Sequence, residues 1–368
     1  MKLSISVLQL TLITANFVFS STLINMYQIA IDIGGQNTWI IPFIIFPVQV
    51  VLIWIIIGNK TGWEKYCKAF VTASERKTIW LEKLFAFVFL LFISFVFVKD
   101  LRAVIDYMAT KLLPTTPIEI LIFLSILTFI YMVASGFEVL VRVSSVSFVF
   151  LFIVVISLPF MLLNEIDIGN LQPILAMGML PPMAKSLYIH LGWTIEFVFV
   201  LFVFLFIHPV KEARKGLISG TAIGLGLMSI LLILELAVLG VKLVSISTYP
   251  TITLIQQINI TDFLDRLDLF LVTLWMPTIL SKIALSLYLV NRCFTVLIGK
   301  RTDVFIVPLS LIMGMVTILL FSNNIEHLNF SYFTWPTLGL GLELSLIILF
   351  VLIKRHVVRK WSQLDKKT

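Results

Sequence analysis

Apolar residues occur in long, almost unbroken runs, separated by short polar stretches rich in Lys, Arg, Asn and Pro. A helix crossing the hydrocarbon core needs about 20 mostly apolar residues, whereas a barrel strand shows alternation over about 10. The runs here are continuous and predict ten transmembrane helices, near 5–27, 39–58, 79–98, 118–135, 145–163, 186–207, 216–240, 269–291, 304–321 and 337–353. The first run places Gln9, Asn16 and Ser20 on one helical face. A cleaved leader has no use for such a stripe and would end in a small-residue cleavage site, so this run is read as a retained span.

The polar stretches between the runs orient them. With the N-terminus in the cytoplasm, 19 Lys and Arg fall on the cytoplasmic side and six on the outer side, while Lys83 and Lys282 lie within spans. By the positive-inside rule both termini face the cytoplasm. The 60% apolar and 13% charged composition agrees, and excludes both an ordinary soluble domain and a disordered chain. The net charge of +7 sits in juxtamembrane loops and in the basic tail 354–368, where anionic lipid headgroups rather than nucleic acid are the expected partner. Cys67 and Cys293 fall on the cytoplasmic side, and neither they nor the four scattered histidines form a metal-binding pattern. No nucleophile elbow or zinc-protease helix is present, so neither an enzyme nor a cofactor is expected.

Ionisable groups inside a membrane are costly and invite a functional question. Glu196 is the deepest acid, in the string Gly192-Trp193-Thr194-Ile195-Glu196, and Lys282 is the deepest base, sharing a helix face with Trp275 and Thr278. Glu235 and Glu343 lie nearer span ends and are expected to snorkel or to pair within the bundle. Ser20, Ser21 and Thr22, followed by Asn25, either glue the first span to its neighbours or mark a helix that unwinds around a solute. Gly220, Gly224 and Gly226 predict close helix packing. In the loops, 261–268 predicts a short amphipathic helix capped by Thr261, and Glu75-Arg76-Lys77 an interfacial helix entering the third span.

Three strings carry a family resemblance: Tyr249-Pro250-Thr251 through Asp265-Arg266-Leu267-Asp268 to Leu274-Trp275, then Gly34-Gly35-Gln36-Asn37-Thr38-Trp39-Ile40, and Pro209 followed by Lys211 and Lys215. With the length and the span count, they make the chain resemble the spore germination permease family, the B subunits of bacterial spore nutrient germinant receptors. That family is related to amino acid–polyamine–organocation transporters. The resemblance implies an all-α membrane protein in one integral domain, with inverted five-helix repeats over about 1–163 and 183–353 and with spans one and six broken around a mid-membrane site. Where relatives carry glycines and then a proline in span one, this chain has Ser20-Ser21-Thr22-Leu23 and Met26.

The function so implied is binding of a small nutrient, an amino acid foremost, in the spore inner membrane, read out by A-type and C-type receptor subunits. The expected contacts are Ser20, Ser21 and Thr22, Gly192 and Trp193, and Trp275 and Thr278, with Glu196 and Lys282 as charge partners for the ligand or for each other. The alternatives are an ion-coupled amino acid transporter and a passive scaffold, because fold alone does not decide function.

Overall fold

The computed structural model describes residues 5–20, 22–24, 26–72, 80–174, 178, 180–258, 267–299 and 305–364. Among these residues every regular element is helical. In chain order they are α1 (Val7–Phe19), α2 (Met26–Gly34), α3 (Ile41–Ile57), α4 (Lys60–Thr72), α5 (Trp80–Tyr107), α6 (Ile118–Ala134), α7 (Phe137–Met161) and α8 (Leu180–Thr194). Then follow α9 (Phe199–Phe202), α10 (Ala213–Leu234), α11 (Gly240–Ile246), α12 (Pro250–Ile255), α13 (Leu267–Ile298), α14 (Ile306–Leu320), α15 (Asn324–Asn329) and α16 (Trp335–Leu364).

Among the described residues seven helical stretches are long and apolar enough to cross a membrane, and α1, α6 and α14 are shorter apolar helices. The predicted boundaries shift in instructive ways. Residues 28–38, expected as a loop, are helical, so that α2, a 3-10 stretch and α3 follow one another without a loop from Met26 to Ile57. The first predicted span stops early: α1 ends at Phe19 and the chain re-enters a helix at Met26. The third span does not end at 98 but continues as α5 to Tyr107. Lys99 and Arg102, counted as outer-loop charges, are therefore buried in the bundle. A loop helix runs over Lys60–Thr72, and the stretch 75–77 lies outside the described residues. Most of the predicted amphipathic helix 261–268 lies outside them as well, while Leu267 and Asp268 begin α13.

Local chemistry explains where helices start and stop. Ser6 and Gln9 form a reciprocal capping box at the start of α1, which assigns Gln9 a local role rather than a place in an interior stripe. Gly58 closes α3 and Gly136 separates α6 from α7, both with positive φ (67° and 90°) that a side chain would resist. α1 packs most extensively on α10 through two of the predicted glycines. A Cβ on Gly220 would stand 2.6 Å from the Thr11 carbonyl oxygen, and one on Gly224 would stand 2.9 Å from Val18, whereas Gly226 faces open space.

Candidate functional site

The interrupted first span organises one wall of the site. At the end of α1, Ser20 Oγ donates to the Asn16 carbonyl at 2.8 Å, and Thr22 Oγ1 donates to the Phe19 carbonyl at 2.6 Å. Thr22 Oγ1 also lies 3.1 Å from the Tyr27 hydroxyl, so the hydroxyls add local bonds to the carbonyls that already accept the Ser20 and Thr22 backbone N–H groups at the end of α1. Asn16 ties α1 to two neighbours, its Nδ2 donating to Ser144 Oγ of α7 at 2.8 Å and reaching the Thr278 carbonyl of α13 at 3.3 Å. The sixth predicted span is irregular too: α8 passes into a 3-10 turn at Ile195–Val198, then α9 and a π-helical stretch to Ile207. Gln49 of α3 donates to the Thr194 carbonyl at 3.0 Å where the α-helical ladder lapses.

Between these irregular helices lies a closed ring of four charges. Lys99 Nζ stands 2.8 Å from Asp100 Oδ1 and 3.1 Å from Glu196 Oε1. Lys282 Nζ stands 2.9 Å from Asp100 Oδ2 and 2.5 Å from Glu196 Oε2. Each carboxylate therefore meets both ammonium groups, and all four side chains are at most 2% exposed. Two acids and two bases cancel, which is the arrangement a low-dielectric interior demands. Lys99 also sits 3.7 Å above the Trp193 ring, and Lys282 5.2 Å from the Phe17 ring, so aromatic faces complete the shell.

One to two turns further along α5 a second polar cluster follows. Arg102 Nε donates to Asp106 Oδ1 at 2.9 Å and its terminal nitrogen to the Phe321 carbonyl at 2.8 Å, while His327 Nδ1 of α15 lies 3.2 Å from Asp106 Oδ2. This cluster fixes the chain after α14 against α5.

Two cavities adjoin α12. An apolar one of about 40 Å³ is walled by Leu23 and Ile24 of the interrupted span, Leu151 and Val155 of α7, and Val272 and Trp275 of α13. An open polar one of about 390 Å³ is lined by Thr110, Lys111, Ser247, Thr253 and Asn324. Tyr249 and Ile252 belong to both walls. Burial pushes the Tyr249 hydroxyl up to about 12, so it keeps its proton at physiological pH.

The predicted residues are thus divided among several environments. Glu196 and Lys282 meet directly, with Trp193 above the neighbouring Lys99. Thr278 Oγ1 donates to the Ser147 carbonyl at 3.1 Å, a helix-to-helix bond. Gly192 is pressed against α16, where a Cβ would lie 2.5 Å from Pro336 Cα. Trp193 Nε1 is committed to the Ser331 carbonyl at 3.2 Å. Thr22 abuts the cavity-lining pair Leu23 and Ile24, Ser20 is buried at the end of α1, and Ser21 lies outside the described residues. Of the predicted contacts, Trp275 lines one of these two cavities, and its Nε1 has no hydrogen-bond partner among the described residues.

Sequence reasoning missed Lys99 and Asp100, and named Glu235 without its partner Thr251. The first two sit at the end of an apolar run and read as loop charges, although Lys-Asp followed by Arg and Asp at helical spacing is a signal for a helix that carries its own counter-ions. Glu235 and Glu343 do not snorkel: both are fully buried. Glu235, in a π-helical stretch after α10, accepts from Thr251 Oγ1 at 2.7 Å, while neither carboxyl oxygen of Glu343 has a hydrogen-bond partner among the described residues.

Among the described residues, seven long apolar helical stretches and a neutral, buried charge ring define an integral, multi-pass membrane protein. Residues 4–326 match the spore permease family, described as spore germination protein, and the chain belongs to that family. It is 34% identical to the spore germination protein YfkT of Bacillus subtilis (strain 168) over 55% of each chain, so the match spans about half of that relative's length. It is 29% identical to spore germination protein KB over 68% of each chain, and 21% identical to spore germination protein YndE over 86% of this chain and 85% of that relative, both from the same organism.

Proposed function

We propose that this chain is the nutrient-sensing membrane subunit of a spore germinant receptor, working with A-type and C-type companion subunits in the inner membrane of the spore. In this reading α1, α6 and α14 cross the bilayer beside the seven longer helices, to give ten crossings in two five-helix halves of opposite orientation with both termini cytoplasmic. The observation that carries the reading is the cavity at the interrupted first span, lined by Leu23, Ile24 and Trp275, whose buried indole N–H has no hydrogen-bond partner among the described residues. A site of this form suits the apolar part of a small solute, an amino acid foremost. The α12 end then faces the spore exterior, so the open polar cavity forms the approach.

The ring has a structural role in this reading. Lys282 and Glu196 neutralise each other and the Lys99–Asp100 pair, and the ligand is recognised beside them rather than by them. A sensor responds only as far as its ligand binds one conformation better than another, and α13 carries both Trp275 and Lys282, so it is the element through which occupancy would reach the ring.

The test uses spores whose only copy of this chain carries Trp275→Ala. The expected result is normal protein accumulation with the nutrient dose–response displaced to higher concentration. An unchanged response would overturn the assignment. The rival reading, an ion-coupled amino acid transporter, draws on Glu343, a buried carboxyl without a hydrogen-bond partner among the described residues on the helix that packs against α5 and α8. Concentrative uptake of labelled amino acids by proteoliposomes holding only this chain would favour it.

A further inference from the structure

A cluster of cations gathers at the end of α3, and its residues line neither of the two cavities. Gly58 closes α3, and its carbonyl accepts from Arg214 Nη2 of α10. Two residues earlier the Ile56 carbonyl accepts from Lys354 Nζ of α16 at 2.5 Å. The Arg214 guanidinium lies 4.0 Å from the ring of Trp54, which is 53% exposed. Arg355 follows Lys354 on α16 and is exposed, and the charges that act on Lys354 are the two cations Arg355 and Arg214. Among the described residues no carboxylate pairs with any of the three, not even Glu212 two places before Arg214. The carboxyl end of a helix carries about half a negative charge. Capping α3 therefore offsets only part of the charge that Arg214 and Lys354 bring, and Arg355 adds to the excess. Donors are also left over, since only Nη2 of Arg214 and one proton of Lys354 are committed to carbonyls there.

The surface leading to these cations is apolar. Val51, Trp54 and Ile55 of α3 are exposed, and so are Ile348 and Leu352 of α16. A ligand that matches both features has an anionic end and a hydrocarbon body, and a tryptophan suits the level at which the two meet. We propose that Arg214, Lys354 and Arg355 form a binding site for the headgroup of an anionic phospholipid, with its acyl chains along the exposed face of α3. The site differs from the diffuse attraction of a basic tail, because the fold rather than a run of basic residues assembles it. Arg214 stands 156 residues from Gly58, and Lys354 stands 298 residues from Ile56. A planar guanidinium beside an ammonium suits a phosphate diester, the first by its fork of donors and the second by its compact charge. A bound phosphate would relieve the repulsion among the three cations and tie α3 to α10 and α16. The inference stands apart from the sensing role and holds whatever solute the chain takes.

The experiment follows thermal unfolding of the full chain in a neutral detergent. Phosphatidylglycerol, phosphatidylcholine or inorganic phosphate is added over the same concentration range. Phosphatidylglycerol should raise the midpoint and saturate, as a ligand of the folded state does, while the other two leave it in place. Arg355→Gln spares both caps of α3 and should raise the phosphatidylglycerol concentration for half the shift about fivefold. The double variant Arg214→Gln, Lys354→Gln should raise it about tenfold or more. Lys360→Gln, an exposed cation further along α16, should leave it unchanged. If Arg214 and Lys354 serve only as caps, their variants unfold earlier without lipid but keep the full lipid-dependent shift, and that result overturns the site. An equal loss in Lys360→Gln overturns it in favour of diffuse attraction. A shift of the same size with inorganic phosphate overturns the lipid as the ligand, and no shift with phosphatidylglycerol overturns the proposal outright.

Discussion

Lys282→Met removes one corner of the charge ring and leaves the apolar stem of the side chain in place. The ammonium lost touches both Asp100 at 2.9 Å and Glu196 at 2.5 Å. Two fully buried carboxylates are then left to share Lys99, and the site carries one uncompensated negative charge. Breaking a buried ion pair by deleting one partner costs about 3–5 kcal/mol, most of it from the charge left behind. The double variant Lys282→Met, Glu196→Gln deletes an opposite pair and leaves Lys99 and Asp100 at 2.8 Å, a neutral couple. It should therefore be more stable than the sum of its single variants implies, with a coupling of about 1–3 kcal/mol. The assay is equilibrium unfolding of the purified chain in mixed micelles, on both single variants and the double variant. Strict additivity, or a Lys282→Met protein as stable as the unmodified one, would refute the idea that the four charges act as one compensated unit.

Three other outcomes follow from the same packing. Gly220→Val should destabilise the chain by about 1–3 kcal/mol or prevent its accumulation, because the new Cβ would lie 2.6 Å from the Thr11 carbonyl oxygen; thermal unfolding in detergent reads this, and Gly226→Ala is the neutral control. Burial pushes the Cys67 thiol up to about 11, so the reactive thiolate is scarce at neutral pH and grows as pH rises toward that value. Maleimide labelling of a Cys293→Ala chain should thus be slow at about pH 7 and accelerate through about pH 10; a rate that levels off near pH 8 would contradict it. Asp106→Asn removes the charge that Arg102 and His327 share, so hydrogen exchange at α15 should quicken while exchange in α13 stays unchanged.

Much of the helical architecture was legible because hydrophobic run length is a direct consequence of bilayer thickness. The seven long crossings each overlap a predicted run, and the packing role of Gly220 and Gly224 followed from their place inside an apolar stretch. What misled was punctuation. Lys99 and Asp100 close an apolar run and look like a loop, yet they stay helical because each brings the other a counter-ion and the fold brings Glu196 and Lys282 to them. At Ser20 to Ile24 the sequence left two readings open, since hydroxyls bonded to the preceding carbonyls support a broken helix as well as a packed one, and the chain takes the break. The pairing of Glu196 with Lys282 was open to sequence reasoning as two lone opposite charges in a membrane. The link from Thr251 to Glu235 was not, because it joins a loop helix to a span across 16 residues whose spacing carries no helical register.

The separation between ring and cavity bears on how such a site can discriminate. A charge that is already paired inside protein gains little from a ligand of opposite sign, because the ligand must displace a partner held at salt-bridge distance. Glu196 meets Lys99 at 3.1 Å and Lys282 at 2.5 Å, so it is poorly suited to choosing among ligands by charge. The groups suited to choosing are those whose hydrogen-bond capacity is unspent, and near α12 these are the Trp275 N–H and the second carboxyl oxygen of Glu235. Discrimination by unspent groups is steep, since a ligand that fails to satisfy them leaves them buried and unpaired. On the proposed reading the ring holds α5, α13 and the irregular sixth span in one arrangement. Ligand binding at Trp275 acts on α13 seven residues from Lys282, about two turns along the helix. An occupant that favours a different position of α13 must therefore work against the ring, which makes the ring the element that sets the threshold for response. Weakening it without unbalancing it, as in the Lys282→Met, Glu196→Gln protein, should lower the nutrient concentration for half-maximal germination, whereas an unchanged threshold would show that ring and cavity are energetically independent.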